Sequence, residues 1–294
     1  MGIAATSATH DAARPIMDDA EFERWTRLLE SRTGVIVPPE RRLFLETGLR
    51  RRMRETGHTE FRRYYDELLD GARGAMEWAA LVDHLTVHET HFFRHLPSLN
   101  LIRDEWLPQW LAGVADDRSL HALSVGCSTG EEAYTLAMLL DSALGAAGPQ
   151  RLFGITATDV SQPALAIARQ ATYPIQRLSE IPPAYRERSI EADGDTFHIV
   201  ERLRKRVGFA CVNLLHASRA PLRKLDLIFC QNVLIYFARE RRGELLDALA
   251  RLLQPNGLLV LGPGEASNWT HPQLVRTGGR QTLAYLRTTK ETTA

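Results

Sequence analysis

The stretch that decides the fold is Ser124-Val125-Gly126-Cys127-Ser128-Thr129-Gly130-Glu131-Glu132. It follows an apolar run at 120–125 and opens a segment with helical periodicity. Glycines at a strand-to-helix turn allow the backbone to approach a ligand closely, and in nucleotide-binding folds such a loop holds a cofactor at the carboxyl edge of the sheet. No Gly-Lys-Ser/Thr follows, so the turn is not a phosphate-binding P-loop. A plain tight turn between a strand and a helix is the alternative.

The charge of this turn narrows the class of ligand. Glu131 and Glu132 at the helix start would repel a pyrophosphate, which favours a ligand with a positive centre, such as a sulfonium with its amino group. Asp159 ends the next apolar run, where an acidic residue typically accepts hydrogen bonds from ribose hydroxyls. A simple cap of the following helix is the alternative role for Asp159.

The pattern after residue 118 indicates an α/β domain. Short apolar runs alternate with helical segments, which is typical of a parallel sheet covered by helices on both faces. The predicted strands lie at 120–125, 152–157, 207–211, 225–230 and 258–261, with a last, antiparallel strand at 281–286. The segment 173–206 interrupts this alternation with prolines and an alternating run at 196–200, which predicts a small inserted β-subdomain.

The chain before residue 96 indicates a separate helical unit. Helical periodicity begins after a capping aspartate, Asp18 or Asp19, and the first helix is predicted to end at Gly34. Further amphipathic helices follow, the second at about 40–55. We therefore predict a disordered tail at 1–17, an all-helical domain at 18–95, a linker helix at 96–118 and the α/β domain at 119–290.

Composition is that of an ordinary globular protein. The 294 residues are 44% hydrophobic and 24% charged, with a formal net charge of zero. This balance does not indicate a nucleic-acid partner or membrane insertion, and without a visible apolar signal segment a cytoplasmic protein is expected. The three cysteines lie far apart in apolar runs and are expected to be buried and reduced.

Two further segments carry unusual densities of polar and aromatic groups. The run 226–237 is a buried strand that turns into an aromatic loop, so Asn232 and Tyr236 are candidates to face a reacting centre, although Tyr236 alone could simply pack under the next helix. The run 85–94 joins the two units, and Arg94 there can hold a carboxylate through two hydrogen bonds. His88 and His91 lack a third ligand at metal-binding spacing and are expected to be solvated or hydrogen-bonded, so no metal is predicted.

Together these segments resemble the CheR-type chemotaxis receptor methyltransferases. The matching pieces are Thr-Val-His-Glu-Thr-His-Phe-Phe-Arg at 86–94, Gly-Cys-Ser-Thr-Gly-Glu-Glu at 126–132, Ala-Thr-Asp at 157–159, Val-Asn-Leu-Leu at 212–215 and Phe-Cys-Gln-Asn-Val-Leu-Ile-Tyr-Phe at 229–237. The resemblance implies a Rossmann-like class I S-adenosylmethionine methyltransferase sheet with a helical N-terminal domain and an inserted β-subdomain. It also implies methylation of protein glutamate side chains, with S-adenosylhomocysteine as the product.

The same resemblance implies individual site residues, by position. Contacts to the cofactor are implied for His88, Thr90, Arg94, Gly126, Glu131, Asp159, Asn213, Leu214, Gln231 and Asn232. Glu131 would meet the methionine amino group, Asp159 the ribose, and 213–214 the adenine region. Arg94 and Tyr236 would flank the transferred methyl group and the substrate carboxylate, which makes them the implied catalytic residues.

This sequence departs from the family pattern at several positions. His88 replaces a usual asparagine, and Gln231 replaces a usual arginine, which removes a fixed charge near the substrate entrance. Pro263-Gly264-Glu265 replaces a frequent His-Ser-Glu. The insertion around 192–196 looks shorter than in relatives that dock a receptor's C-terminal peptide, so we predict no such tether.

The resemblance also implies a protein partner. A basic cluster on the second helix comprises Arg41, Arg42, Arg50, Arg51, Arg52 and Arg54. It is predicted to dock on the acidic helical bundle of a chemoreceptor's cytoplasmic part, and a solvated helical face is the alternative. Two other functions stay open: a regulatory module that binds the cofactor without turnover, and methylation of another protein carboxylate. Nucleic-acid methylation is disfavoured because 231–234 lacks the Asn/Asp-Pro-Pro-aromatic motif.

Overall fold

The computed structural model describes residues 17–148, 151–219, 224–266 and 268–288. The named elements at 19–85 are helices, and both sheets follow residue 119. The predicted fold class, a Rossmann-like α/β sheet with a helical N-terminal domain and an inserted β-subdomain, is confirmed. The predicted disordered tail lies outside the described residues except for Met17, which is buried in the helical core, so the prediction was wrong for that residue.

The N-terminal domain is a set of short amphipathic helices. In the described range these are α1 (Asp19–Thr33), α2 (Arg42–Thr56), α3 (Phe61–Leu68) and α4 (Gly71–Leu85). The Asp18 carboxylate caps α1 by accepting a hydrogen bond from the Glu21 amide at 2.7 Å, which satisfies a backbone donor left free at the helix start. A 3-10 turn, Pro39–Arg41, precedes α2, so α2 begins later than predicted.

The core of this domain is aromatic and aliphatic. The rings of Trp25 and Tyr64 stack with 5.7 Å between centroids. The Tyr64 hydroxyl donates to Glu77 at 2.6 Å, and the Arg52 guanidinium donates to both oxygens of Glu77 at 2.8 and 2.7 Å. Because these polar groups satisfy one another, they close the core between α2 and α4 without an unpaired buried charge.

The predicted linker helix is an irregular one. It consists of α5 (Leu96–Asn100), a π-helical stretch (Leu101–Trp106) and α6 (Leu107–Ala112). Pro108 explains the irregularity, because proline cannot donate a backbone hydrogen bond and its ring crowds the carbonyl four residues earlier. The wider π-helical turns accommodate that crowding.

The strands and the remaining helices follow in alternation. The strands are β1 (Leu120–Val125), β2 (Phe153–Asp159), β3 (Thr172–Pro174), β4 (Ile190–Asp193), β5 (Thr196–Ile199), β6 (Val207–Cys211), β7 (Leu225–Cys230), β8 (Leu253–Leu261), β9 (Leu274–Thr277) and β10 (Leu283–Arg287). The helices are α7 (Glu131–Ala147), α8 (Gln162–Gln170), α9 (Pro183–Ser189), α10 (Glu201–Arg204) and α11 (Arg239–Leu252). Within the described ranges, no helix combines the length and the apolarity that crossing a bilayer requires.

The topology of the main sheet predicts where a ligand binds. Its order over the described residues is β6-β2-β1-β7-β8-β10-β9, with β10 antiparallel to both of its neighbours and the other pairs parallel. The strand order reverses at β1, which pairs with β2 on one side and β7 on the other. Ligands bind outside the carboxyl ends of parallel strands at such a switch point, so the sheet itself predicts a site after β1.

The inserted β-subdomain packs over the same edge. Its sheet has the order β3-β5-β4, and a 3-10 helix, Ile175–Glu180, follows β3. Phe197 on β5 is fully buried and lies 5.7 Å, ring to ring, from Tyr173 on β3 and 5.9 Å from Phe92. This aromatic cluster attaches the subdomain to the segment that joins the helical and α/β domains.

Two details differ from the sequence-based expectations. β9 was not predicted, because this short strand buries little of its length and therefore carries no apolar run. Cys127 and Cys230 are buried as expected, whereas Cys211 is exposed. Cys211 ends β6, an edge strand that pairs with β2 on one side and has no strand on the other side in the described sheet, so the prediction of a buried thiol was wrong there.

Candidate functional site

A cavity of about 370 Å³ opens at the carboxyl ends of β1, β2 and β7. The turn after β1, the segment 85–95 and the loops at 212–214 and 231–237 line it, and residues 33–37 of the helical domain cover part of it. Small-molecule sites are typically clefts of roughly 300–1,000 Å³. Both domains therefore build one ligand-sized cavity at the switch point of the sheet.

The turn after β1 brings the backbone to the cavity wall. Gly126 has a φ of +70°, and its amide donates to the Thr158 carbonyl at 2.8 Å. A Cβ on Gly126 would collide with the side chain of Val233, which also lines the cavity. Only glycine fits both the conformation and the space. The segment is therefore a tight strand-to-helix turn that also lines the cavity.

Asp159 lies at the end of β2 and lines the cavity. Its two carboxylate oxygens accept hydrogen bonds from the Ser128 amide at 2.8 Å and the Ser161 amide at 2.9 Å. The cap of α8 is Ser161, whose hydroxyl accepts from the Ala164 amide. Asp159 is therefore not the simple helix cap considered as an alternative, and its oxygens retain lone pairs that can accept further hydrogen bonds from a ligand.

The acidic pair at the start of α7 is divided between two environments. Glu131 is fully buried, pairs with Arg177 and accepts a hydrogen bond from the Thr129 hydroxyl at 2.7 Å, and it does not line the cavity. Glu132 does line the cavity. Successive helix residues point about 100° apart, so only one of the two can face a given ligand. The expectation for Glu131 is corrected accordingly: the acid that faces the cavity is Glu132.

The protonation of Glu132 depends on the charges around it. Its carboxylate accepts a hydrogen bond from the Ser124 hydroxyl at 2.6 Å. Burial raises the pKa of Glu132 to about 8; Ser124 and Arg94 oppose the rise, and Glu265 and Asp159 add to it. The described ion pairs give Glu132 no cationic partner, so a positively charged ligand group is the natural partner for its ionised form.

Asn213 and Leu214 lie on the wall formed after β6. The Asn213 side-chain amide donates to the Arg32 carbonyl at 2.8 Å, and its oxygen accepts from the Leu215 amide at 2.9 Å. Leu214 is buried and presents an apolar surface to the cavity. The Asn213 side chain thus joins this wall to the end of α1, and the contact surface left for a ligand is mainly apolar.

The segment 85–95 forms another wall. The Arg94 guanidinium lines the cavity and donates to the Glu89 carbonyl at 2.8 Å, with its side chain 37% exposed. Thr90 lines the cavity, and its carbonyl accepts from Arg177 at 2.5 Å. His88 also lines the cavity, but its ring nitrogen is already within hydrogen-bond distance of Thr86 and Asp83.

Gln231 and Asn232 follow β7. Gln231 lines the cavity but is buried, and its side-chain amide donates to the Ser98 hydroxyl at 2.9 Å and the Leu261 carbonyl at 3.0 Å. Its two donors are thus used within the protein, so Gln231 braces α5 against β8 and does not lie exposed at a substrate entrance. Asn232 lines the cavity in the left-handed conformation, with a φ of 59°.

Tyr236 lines the cavity, as do Arg41 and Arg94. Burial raises the pKa of the Tyr236 hydroxyl, whereas Arg41 and Arg94 lower it. Glu265 stabilises the turn that carries Tyr236. Its buried carboxylate accepts hydrogen bonds from the amides of Leu234 at 2.9 Å and Gly262 at 2.7 Å. Glu265 is the residue of Pro263-Gly264-Glu265 that agrees with the family pattern, and no role is predicted for it from the sequence.

The basic cluster of α2 is largely paired inside the protein. Arg42 and Arg50 bind Glu46, Arg51 binds Glu55, and Arg52 binds both Glu55 and Glu77. Among the ion pairs of the described residues, neither Arg41 nor Arg54 takes part. Both are exposed, and Arg41 lines the cavity. The six arginines are therefore not one uniformly positive surface.

The histidines near the cavity show no metal-binding arrangement. His91 lies 3.3 Å from Glu180, and both it and His88 are hydrogen-bonded as predicted. In the described part of the chain, no group of three or more His, Cys, Asp or Glu side chains is placed to hold a metal ion.

Comparison with known proteins assigns this arrangement to a family. The CheR methyltransferase SAM-binding domain matches residues 88–282, and the CheR methyltransferase all-alpha domain matches residues 20–86. The chain belongs to the CheR methyltransferase family. Most cavity-lining segments of this CheR chain thus fall within the matched SAM-binding domain. The exceptions are lining residues of the helical domain at 33–44 and the residues 85–87.

Curated relatives agree with this assignment. The chemotaxis protein methyltransferase of Escherichia coli is 33% identical over 264 residues, which is 88% of this chain and 87% of that protein. The chemotaxis protein methyltransferase of Borreliella burgdorferi is 28% identical over 83% of this chain. The probable biofilm formation methyltransferase WspC of Pseudomonas aeruginosa is 34% identical, and this CheR chain spans 57% of that relative's length.

The cofactor of this CheR domain is S-adenosylmethionine, as predicted, and the cavity residues fit it. The Ser128 hydroxyl is buried at the cavity and has no hydrogen-bond partner among the described protein groups. Glu132 suits an amino group, Asp159 suits ribose hydroxyls, and Leu214 suits an apolar ring face. The lining groups therefore match a molecule that carries both a cationic amino group and a nucleoside.

Proposed function

We propose that this protein transfers the methyl group of S-adenosylmethionine to glutamate side chains on the cytoplasmic part of a chemoreceptor, which gives methyl esters for sensory adaptation. The observation that carries the proposal is the position of Arg94 at the cavity. Arg94 lines the same cavity as Glu132 and Tyr236. A fixed cation in the cavity suits the approach of a carboxylate.

A carboxylate substrate fits the chemistry of these residues. A glutamate side chain has a pKa of about 4.3, so at neutral pH it is already a nucleophile and needs no general base. When bound, S-adenosylmethionine supplies a methyl group activated by its sulfonium. The protein's task is then to orient the two reactants, and Arg94 with the Tyr236 hydroxyl are the groups we assign to holding the carboxylate.

The cofactor is held by residues from both domains in this proposal. Glu132 takes the place first expected for Glu131 at the amino group, and Asp159 and Ser128 receive the ribose or the carboxylate. Asn213 and Leu214 form the wall next to the adenine, with Asn213 fixed by its bond to Arg32. His88 and Gln231 support the cavity wall in this proposal, through their hydrogen bonds to Thr86 and Ser98 respectively.

The partner is proposed to dock beside the cavity opening. Arg41, Arg51 and Arg54 are exposed on the helical domain, and Leu43 beside them is 75% exposed. This mixture suits an acidic, amphipathic receptor helix. β4 and β5 are joined by Gly194 and Asp195 alone, and so short a loop supports our proposal that no receptor tail peptide docks there.

The test is transfer of a radiolabelled methyl group from S-adenosylmethionine to receptor-containing membranes. We expect label in the receptor band that is released as methanol by mild base, since only a carboxyl ester behaves in this way. Label that resists base would refute carboxyl methylation. Cofactor binding without transfer to any receptor would favour the regulatory module, and base-labile label in other proteins would favour another carboxylate substrate.

A further inference from the structure

We propose that Arg177 of the inserted β-subdomain is a positioning residue that holds two walls of the cofactor cavity together. The subdomain would then be a structural part of the cofactor site. This inference rests on the proposed use of the cavity for S-adenosylmethionine.

The Arg177 guanidinium contacts both walls directly. One of its nitrogens donates to the buried Glu131 carboxylate at the start of α7, directly after the glycine turn. Another donates to the Thr90 carbonyl at 2.5 Å, in the segment that carries Arg94. Arg177 and Glu131 do not line the cavity, so Arg177 acts through the residues that it holds.

A second acid completes this set of contacts. Glu180 accepts from Arg177 at 3.1 Å, and its other oxygen accepts from the Phe92 amide at 2.8 Å. The Tyr173 hydroxyl, also in the subdomain, donates to the Thr129 carbonyl at 2.8 Å. We call the contacts among Arg177, Glu131, Glu180, Thr90 and Phe92 the Arg177 network. Through it the subdomain binds the backbone on both sides of the cavity.

The segment 87–91 needs such support because it forms neither helix nor strand. Side chains bond its backbone groups instead of regular neighbours: the Thr90 carbonyl accepts from Arg177 and the Glu89 carbonyl accepts from Arg94. Glu180 accepts from the amide of Phe92, directly after the segment. Thr90 lines the cavity, and Arg94 follows four residues later. Loss of the network would therefore loosen the wall that carries the proposed catalytic arginine.

An arginine is required at this position by geometry and charge. The guanidinium presents several donors in a planar fork, and here they reach Glu131, Glu180 and a backbone carbonyl at once. A lysine ammonium is a compact point charge that cannot span all of them in the same geometry. Glu131 is fully buried, so removing its cation would leave an uncompensated charge beside the glycine turn.

The experiment measures S-adenosylhomocysteine binding by calorimetry for wild type, Arg177→Gln and Arg177→Lys. Arg188→Gln is the matched control, because Arg188 is exposed on the same subdomain and lies outside the Arg177 network. We expect Arg177→Gln to raise the dissociation constant about tenfold or more, since it breaks charge-assisted hydrogen bonds on both walls, and Arg177→Lys to recover part of the loss. Hydrogen exchange should show faster exchange at 88–94 in Arg177→Gln, with Arg188→Gln like wild type.

Each outcome separates the two proposals. Wild type that does not bind S-adenosylhomocysteine would refute the proposed function. Wild-type binding with an unchanged dissociation constant in folded Arg177→Gln would overturn only the role of Arg177. If Arg177→Gln does not fold, Arg177→Lys decides: a dissociation constant and exchange at 88–94 equal to wild type would overturn the proposal. In turnover assays we expect KM for the cofactor to rise more than kcat falls.

Discussion

The Ser124 hydroxyl donates a hydrogen bond to the Glu132 carboxylate across 2.6 Å, where β1 ends and α7 begins. This bond orients the one acid of the Glu131 and Glu132 pair that faces the cavity. Because the carboxyl is held in a low-dielectric site close to Glu265 and Asp159, its protonation is coupled to whatever charge enters the cavity.

The first prediction concerns pH. The pKa of Glu132 is raised to about 8 in the unliganded protein, so the residue is mostly protonated at pH 7. A cationic amino group favours the ionised form, so cofactor binding should release a proton and tighten as pH rises from 6 to 8. Calorimetry in buffers with different ionisation enthalpies measures this release, and Glu132→Gln should abolish it.

The same shift predicts the pH dependence of stability. In the unfolded chain the carboxyl has a pKa of about 4.3, below its folded value, so the folded state binds more protons between these two values. Its contribution to the free energy of unfolding is therefore present at low pH and is lost as pH rises towards 8. Denaturant melts of the unliganded protein should show a shallower pH dependence for Glu132→Gln, and an unchanged one would contradict the assignment.

The second prediction concerns the residues proposed to hold the substrate carboxylate. Arg94→Ala should lose most methyl transfer, because it removes the cation that is proposed to hold the substrate carboxylate in the cavity. Tyr236→Phe should lose less, because it removes one hydroxyl and keeps the ring. Initial rates with receptor membranes measure both. Wild-type turnover in Arg94→Ala would exclude Arg94 from this role.

The third prediction compares two glycines that each end a helix. Gly34 and Gly57 have nearly the same φ, +78° and +79°. A Cβ on Gly34 would lie 2.6 Å from the Phe237 ring, whereas one on Gly57 would meet nothing within 4 Å. Gly57→Ala should therefore cost about 1 kcal/mol of unfolding free energy from backbone strain, and Gly34→Ala about 1–3 kcal/mol more from the collision.

Gly34→Ala should also impair catalysis. The next residues, Val35 and Ile36, pair with the segment that carries Tyr236, and the Ile36 amide donates to the Tyr236 carbonyl at 2.9 Å. A shift of Phe237 would therefore move the proposed carboxylate site. Denaturant melts and methyl-transfer rates on both alanine variants test this, and equal losses for the two variants would show that the contact with Phe237 is unimportant.

The fourth prediction separates two kinds of arginine on α2. Arg54→Glu should weaken receptor association, and the remaining association should weaken further with added salt. Arg52→Gln should instead lower the unfolding free energy by about 1–3 kcal/mol, because it removes two hydrogen bonds to the half-buried Glu77. Co-sedimentation with receptor membranes and denaturant melts measure the two effects. Salt-insensitive association would count against docking on this face.

Much of the fold could be predicted from the chain itself. The apolar runs at 207–211 and 225–230 coincide with β6 and β7, because a strand buried on both faces must be nearly continuous in apolar residues. β9 escaped prediction because its short, largely exposed sequence has no such run. The π-helical stretch before Pro108 also had no periodic signal of its own.

The sequence by itself determined the fold class, the glycine turn and the residue types of the site, since these depend on local periodicity, backbone freedom and the order of motifs. Only the tertiary structure decided that Glu132 rather than Glu131 faces the cavity, that the α2 arginines are mostly paired, and that Arg177 joins both cavity walls. The physical reason is that side-chain direction and charge pairing depend on groups distant in sequence, such as Arg177 and Glu131, which meet only when the sheet, the insertion and the helices pack together.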